Sequence, residues 1–385
     1  MTSAAVDGTV PAGRPRHLVG ASLISAAGSL PTHLLPVTIT AVVAGTSASP
    51  ETAGLIASAM LIGQLASSIG LPLLKVTAIS RLWAGAISLA LLAGLVLSGS
   101  DGFFALLGGW FAVGLCCGML LFLGTVSAAH FATPSLAFTL RLGVVLVLAG
   151  ASTGLIQISG AAGSYDTYLV WFGISIAAVL AVGNLLYAPI PPVEHTTDAA
   201  AAGGFTAKMA AGLVAAYVLF VGQTGLVAYV LFSAVERGMD LSSAAWAFAA
   251  CKVGSGLWLV SASRIARPGS SVFRMTVLGV LVAVGGYGMS KAAEIQYLFG
   301  FLILFQIAFN SLSAQMQGSI AATGAKVTGR WIAGTLLLGA ASGPPLHGWA
   351  IGVGLEAEFV IFAVATALLP VVWRVLCRID RPGKG

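Results

Sequence analysis

Apolar runs of about 20 residues, separated by short polar segments, recur along the whole chain. A run of that length is what an α-helix needs to cross the hydrocarbon core of a bilayer, whereas a membrane β-strand is about half as long and alternates apolar with polar residues. Only 8% of the residues are charged, and soluble domains carry about 25%. The sequence therefore predicts an all-α integral membrane protein whose main solvent is lipid.

Twelve transmembrane helices are predicted, in two groups of six that a polar linker separates. The linker, 189–208, begins with a proline-rich stretch and divides a first half, 18–188, from a second half, 209–378. Short tails, 1–17 and 379–385, flank the two halves. The predicted spans are 18–43, 52–74, 82–99, 103–129, 135–160, 167–188, 209–234, 241–262, 271–289, 295–316, 329–350 and 357–377.

The basic residues predict the orientation. With these spans, fifteen Lys and Arg residues fall on the side of the N-terminus and two on the opposite side. Loops rich in Lys and Arg stay in the cytoplasm, so we expect a plasma (inner) membrane protein with both termini cytoplasmic. The net charge of +6 does not indicate nucleic-acid binding, because the basic residues are spread between the apolar runs. We expect a monomer that is embedded in the lipid bilayer.

The two halves share a register of 189 residues. Arg141 and Gly150 in span five correspond to Arg330 and Gly339 in span eleven, each 189 residues later. Such an internal repeat is typical of secondary transporters. It predicts two pseudo-symmetric six-helix bundles, with small residues where helix backbones approach closely.

This organisation resembles the major facilitator superfamily over residues 17–378. The residues that carry the resemblance in span eleven are Gly339, Gly343, Pro344 and Gly348, which are similar to the family's helix-bending Gly-xxx-Gly-Pro run. The resemblance implies two bundles around a central cavity lined by helices one, four, seven and ten, and transport by alternating access.

Two departures from the family's motifs bear on the type of transport. Leu74 stands where the loop between spans two and three usually carries an Asp, and Trp110 stands where span four of proton-linked drug exporters carries an Arg. Both departures argue against a drug/proton exchanger.

Lys252 is the one charged residue that is predicted to lie in the membrane interior. All twelve acidic residues fall in loops, tails or at span edges, and Lys252 lies 12 residues from both Asp240 and Arg264, or about 18 Å along a helix. A charge at that depth costs about 2.5–3.5 kcal/mol on insertion scales. Lys252 would either bind an anionic substrate or be satisfied by backbone carbonyls and water. Arg141, at the start of its span, is predicted to be an interfacial anchor.

His33 is a second candidate, because it lies in span one between Pro31 and Pro36. Proline bends helices and frees carbonyl groups, and bends often line cavities. The imidazole could bind substrate and exchange a proton with it. It could equally bond to a freed carbonyl.

Span ten carries polar residues spaced by four, three and four, which places them on one helix face. That face would line the cavity or hold neighbouring helices together. The stripe consists of Gln306, Asn310, Ser313 and Gln317. Weaker candidates in span seven are Tyr217, Gln223 and Thr224.

These features predict a transporter of a small organic anion of carboxylate type, with Lys252 as the charge partner and a coupled proton or an exchanged anion. An exporter of a lipophilic or neutral compound is the alternative. An intramembrane enzyme is less well supported, since no nucleophile–base pair or metal-ligand cluster stands out. We expect no catalytic residue, cofactor or metal.

Overall fold

The computed structural model describes residues 15–46, 48–73, 81–99, 102–129, 134–160, 164–187, 206–263, 272–321 and 328–379. Those residues form fifteen helices. The first half of the chain contains α1 (Pro15–His33), α2 (Leu35–Thr46), α3 (Pro50–Leu73), α4 (Arg81–Leu97), α5 (Phe103–Ala129), α6 (Pro134–Ile158) and α7 (Tyr165–Leu186). The second half contains α8 (Ala207–Ala228), α9 (Val230–Glu236), α10 (Leu241–Ser263), α11 (Val272–Lys291), α12 (Ile295–Ala321), α13 (Thr328–Gly352), α14 (Glu356–Thr366) and α15 (Leu369–Ile379).

Several of these helices are long and apolar enough to cross a membrane. In the described part of the chain there are nine such spans, and the bent pair α1–α2 makes a tenth. The shorter apolar helix α4 and the helix α13 occupy the third and eleventh places in the predicted order. The integral membrane architecture is therefore confirmed, while the exact count of twelve stays a prediction.

Three of the predicted spans are interrupted. The first bends by 47° between α1 and α2, as the sequence predicts, because Pro36 has no N–H to bond the carbonyl four residues earlier. The predicted continuous spans 209–234 and 357–377 are also broken, at Tyr229 and at 367–368. Pro370 accounts for the last break in the same way, whereas no proline lies near Tyr229.

The two halves pack with the symmetry that the repeat predicts. Helix α6 packs against α1 of its own half and α10 of the other, and its counterpart α13 packs against α8 and α3. Close approach depends on small residues. A Cβ on Gly150 would lie 2.5 Å from the carbonyl oxygen of Ala249 across the α6–α10 contact. At Gly150 the two helix backbones are therefore in close contact across the interface between the halves.

The charges are distributed unevenly between the two ends of the bundle. All seven acidic residues in the described ranges lie at helix ends on one side, which we call the acidic end; the opposite side is the basic end. They are Glu51, Asp166, Glu236, Asp240, Glu294, Glu356 and Glu358. For these seven, the expected absence of carboxylates from the interior is confirmed. The remaining five acids, most of the linker and most of both tails lie outside the described residues.

Candidate functional site

The side chain of Lys252 is buried in the interior, with 4% of its surface exposed. Its Nζ donates one long hydrogen bond, 3.4 Å, to Oε1 of Gln306 on α12, and lies 5.0 Å from the ring centroid of Phe248. An ammonium group has three donors to satisfy, and a cation–π contact offsets only part of the desolvation. No acidic residue of the described ranges lies in the interior, so this cation has no counter-charge from those residues.

Gln306 and Asn310, on α12, are the polar side chains on the helix that Lys252 contacts. The Asn310 Nδ2 donates to the backbone carbonyl of Gln306 at 2.6 Å and lies 3.5 Å from its Oε1. Both side chains are buried. The amide oxygen of Gln306 thus faces two donors from α10 and α12. The structure thus joins Lys252 to the first two residues of the predicted stripe, directly to Gln306 and through Gln306 to Asn310.

His33 belongs to the first half of the chain. It is the last residue of α1, at the bend between Pro31 and Pro36, and its side chain is half-buried. The neighbouring Thr32 donates to Gln64 of α3 at 3.0 Å, and Gln64 donates to the carbonyl of Gly28 at 3.0 Å. These bonds fix the end of α1 that carries His33.

The side chain of Arg141 contacts α1. Its Nη1 donates to Oγ of Ser25 on α1 at 3.0 Å, and Ser25 is fully buried. Arg141 lies two turns into α6 and is the second residue of the span Leu140–Ile158. Its role as an interfacial anchor stays a prediction.

Ser313 and Gln317 continue the stripe of α12 toward the basic end. Gln317 donates to Oγ of Ser313 at 2.9 Å, and Ser313 is buried. The two side chains therefore satisfy each other. They extend the polar face beyond Lys252 without a bond to it in the structure.

The candidates of span seven are not brought to Lys252. Gln223 donates to the carbonyl of Ala363 at 2.6 Å and to Oγ1 of Thr366 at 3.0 Å, which ties α8 to α14. Thr224 donates to the carbonyls of Phe220 and Ala340, and Tyr217 donates to Ser342 of α13. In these bonds all three act as polar contacts between helices, as is common where no hydrophobic drive exists between helices in lipid.

Sequence reasoning missed Phe248. This residue lies one turn before Lys252 on the same face of α10, and the spacing of four residues was a usable signal.

No protein-family model and no curated protein sequence matches this chain. Solved structures of transporters do match. The human organic anion transporter MFSD10 is 16% identical, with a TM-score of 0.67, covering 93% of this chain and 98% of that chain. A bacterial homologue of the human lysosomal transporter Spinster is 14% identical, with a TM-score of 0.63 and coverages of 97% and 100%. The nucleoside transporter NupG is 13% identical, with a TM-score of 0.65 and coverages of 94% and 99%.

These likenesses extend over nearly the full length of each chain, and at such low identity they show the fold. In its described residues the chain has the all-α fold of these structures, which is that of the major facilitator superfamily. The candidate site consists of Lys252 on α10 with Gln306 and Asn310 on α12. His33, at the end of α1, stays a predicted member of this site.

Proposed function

We propose that this protein is a transporter for a small organic anion of carboxylate type, and that Lys252 binds the anionic group. The observation that carries the proposal is the buried ammonium of Lys252, which has one long hydrogen bond and no carboxylate partner among the described residues. An unpaired charge in the membrane interior is rare and marks substrate or ion pathways. The structural likeness to the human organic anion transporter MFSD10 supports the same class.

A bound anion would offset the unfavourable burial of Lys252. Its oxygens would accept charge-assisted hydrogen bonds from Nζ, and Asn310 would supply a neutral donor beside it. Since His33 belongs to one half and Lys252 to the other, the same anion would contact both halves. Binding would then favour one arrangement of the bundles over another, which is what alternating access requires.

Transport of an anion across a membrane that is negative inside needs a partner when the direction is inward. A proton carried on His33, or an exchanged anion, would meet that need. We propose the orientation given by the positive-inside rule, with the basic end and both termini in the cytoplasm of a cell whose plasma (inner) membrane holds the protein.

The test is uptake of radiolabelled carboxylates into liposomes containing the purified protein, with octanoate, succinate and suberate as probes. Wild type should accumulate at least one of them, Lys252→Met should abolish uptake, and Lys252→Arg should weaken it because the planar guanidinium fits differently. Lys291→Met, an exposed basic residue at the acidic end of α11, is the matched control and should transport normally.

Two outcomes would contradict the proposal. One is uptake by Lys252→Met at the wild-type rate. The other is uptake of none of the three carboxylates together with movement of a neutral lipophilic dye that Lys252→Met leaves unchanged, which would favour export of a neutral compound.

A further inference from the structure

We infer that His347 binds a proton at the acidic end of the second half, and that one water molecule held between His347, Arg237 and Glu356 supplies it. The side chain of His347 contacts α8 and α14, and the site does not include Lys252. The inference therefore goes beyond the proposed function and does not depend on the substrate.

The neutral imidazole of His347 has its lone pair on Nε2. The side chain is 1% exposed, and its Nδ1 lies 2.8 Å from the backbone carbonyl oxygen of Gly225 on α8. A carbonyl oxygen only accepts, so Nδ1 carries the proton and donates it. This carbonyl is available because α8 ends at Ala228 and the N–H of Tyr229 bonds to Val227 instead. Nε2 is buried and has no partner among the described residues, although buried polar groups are normally paired.

His347 lines a small polar cavity together with Arg237 and Glu356. The cavity has a volume of about 10 Å³, which is about the smallest space that holds one water molecule. Two of its lining residues have a buried polar atom without a partner among the described residues, Nε2 of His347 and Nε of Arg237. The guanidinium donates its other hydrogen bonds to the carbonyls of Met289 and Ser290. A water molecule here would donate to Nε2 of His347 and accept from Nε–H of Arg237, and would satisfy both groups.

Glu356 supplies the negative charge that a protonated His347 needs. It is the first residue of α14 and half-buried, and its Oε1 accepts a hydrogen bond of 2.9 Å from Oγ of Ser233. Burial opposes a charge on the imidazole, and a carboxylate at the same cavity favours it. Phe359 adds to this effect, because its ring stacks on the imidazole with centroids 4.2 Å apart and an aromatic face attracts a cation.

Arg237 and Glu356 are the two charged side chains that line the cavity with His347. Helix α12 has no charged residue along its length, and Tyr229, whose ring lies 5.0 Å from the imidazole, is an uncharged neighbour. Four more charged residues lie at this end of α3, α9, α11 and α14, where their side chains are exposed: Glu51, Glu236, Lys291 and Glu358. Solvent and salt screen exposed charges, so Arg237 and Glu356 have the main influence on a proton at His347.

The proton reaches the imidazole by way of the water molecule. A protonated Glu356 gives its proton to the water, and the water gives one of its own to Nε2 of His347. The carboxylate and the imidazolium that result differ from the starting pair only by the transferred proton, and Nδ1 keeps its bond to Gly225. Tyr229 bonds to Pro50 of the other half, so the proton is bound next to a contact between the two halves.

The experiment follows the protonation of His347 by nitrogen NMR of the purified full chain labelled at histidine, between about pH 4 and pH 9, on both sides of the ordinary histidine value. His347→Gln identifies the signal. Wild type should show a neutral ring with its proton on Nδ1 at high pH and the imidazolium at low pH. Glu356→Gln keeps an oxygen that accepts from Ser233 and should lower the proton affinity of His347 at least tenfold. Glu358→Gln removes an exposed carboxylate of the same helix turn, and this matched control should leave the affinity unchanged.

Three results would overturn the inference. They are a ring of His347 that stays neutral over the whole range, a neutral ring that carries its proton on Nε2, and equal effects of Glu356→Gln and Glu358→Gln on the proton affinity. Where His347→Gln does not fold, the signal that Glu356→Gln alone displaces identifies His347. None of these results bears on Lys252, so anion transport would stand or fall on its own test.

Discussion

The hydroxyl of Tyr229 donates a hydrogen bond to the backbone carbonyl of Pro50 at 2.5 Å and joins the two halves at the acidic end. Tyr229 is the residue at which α8 and α9 separate, and Pro50 is the first residue of α3. Gly54 and Gly348 leave room for the hydroxyl, because a Cβ on either would collide with it. Close by, α2 contacts α8 and α9. The two halves are therefore in contact around the hydrogen bond between Tyr229 and Pro50.

Tyr229→Phe should loosen the acidic end. Loss of one hydrogen bond of about 1 kcal/mol shifts a two-state equilibrium roughly fivefold. Electron–electron double resonance between spin labels at the exposed Ser49 and Ser242 should show a larger population at long distance.

Tyr165→Phe is the control, since the Tyr165 hydroxyl donates to Ser98 within one half, at 2.9 Å. It should leave the distance distribution unchanged. If Tyr229→Phe also leaves it unchanged, the bond between Tyr229 and Pro50 does not help to hold the halves together.

Lys252→Met should not lower the thermal stability of the ligand-free protein, and we expect it to raise stability by about 1–4 kcal/mol. Replacing a buried charge by an apolar side chain of similar size removes a desolvation penalty that Gln306 offsets only in part. Melting curves of the purified variants in detergent measure this effect, with Lys291→Met as the control. A marked loss of stability in Lys252→Met would mean that the ammonium is a structural group.

Gly150→Ala should destabilise the protein by about 1–3 kcal/mol, because the new methyl group would force α6 and α10 apart. The methyl carbon would lie 2.5 Å from the carbonyl oxygen of Ala249. Gly173→Ala is the matched control, since a Cβ at this position of α7 meets nothing within 4 Å. It should be neutral or slightly stabilising, as expected for Gly to Ala in a helix. Equal melting temperatures for the two variants would contradict this account of the interface.

His33 should make anion binding depend on pH. A proton on its imidazole would add a positive charge near the bound anion, so by linkage the affinity should rise as the pH falls and His33 takes up a proton. In His33→Gln the affinity should vary less with pH, and uptake should no longer respond to an imposed proton gradient. If wild-type uptake ignores the gradient as well, exchange of anions becomes the better account of coupling.

Much of the fold could be predicted from the sequence. The length of the apolar runs and the low charge content require membrane helices, because a backbone in lipid must satisfy its own hydrogen bonds. The prolines at 31 and 36 predicted the bend of the first span, and the register of 189 residues predicted the symmetric packing of α6 and α13. The burial of Lys252 was also predictable, since its distance from both span ends exceeds what a lysine side chain can reach.

The composition of the site was decided by tertiary packing. Helical spacing places Gln223 on a polar face, as it does Gln306, but only packing directs Gln223 to α14 and Gln306 to Lys252. The bond from Arg141 to Ser25 on α1 and the bond from Tyr229 to Pro50 are likewise contacts between helices far apart in sequence. The physical reason is that every apolar helix face is equally soluble in lipid. The sequence of one helix therefore determines that it spans the membrane. Which helices lie next to it depends on the packing of all the helices together.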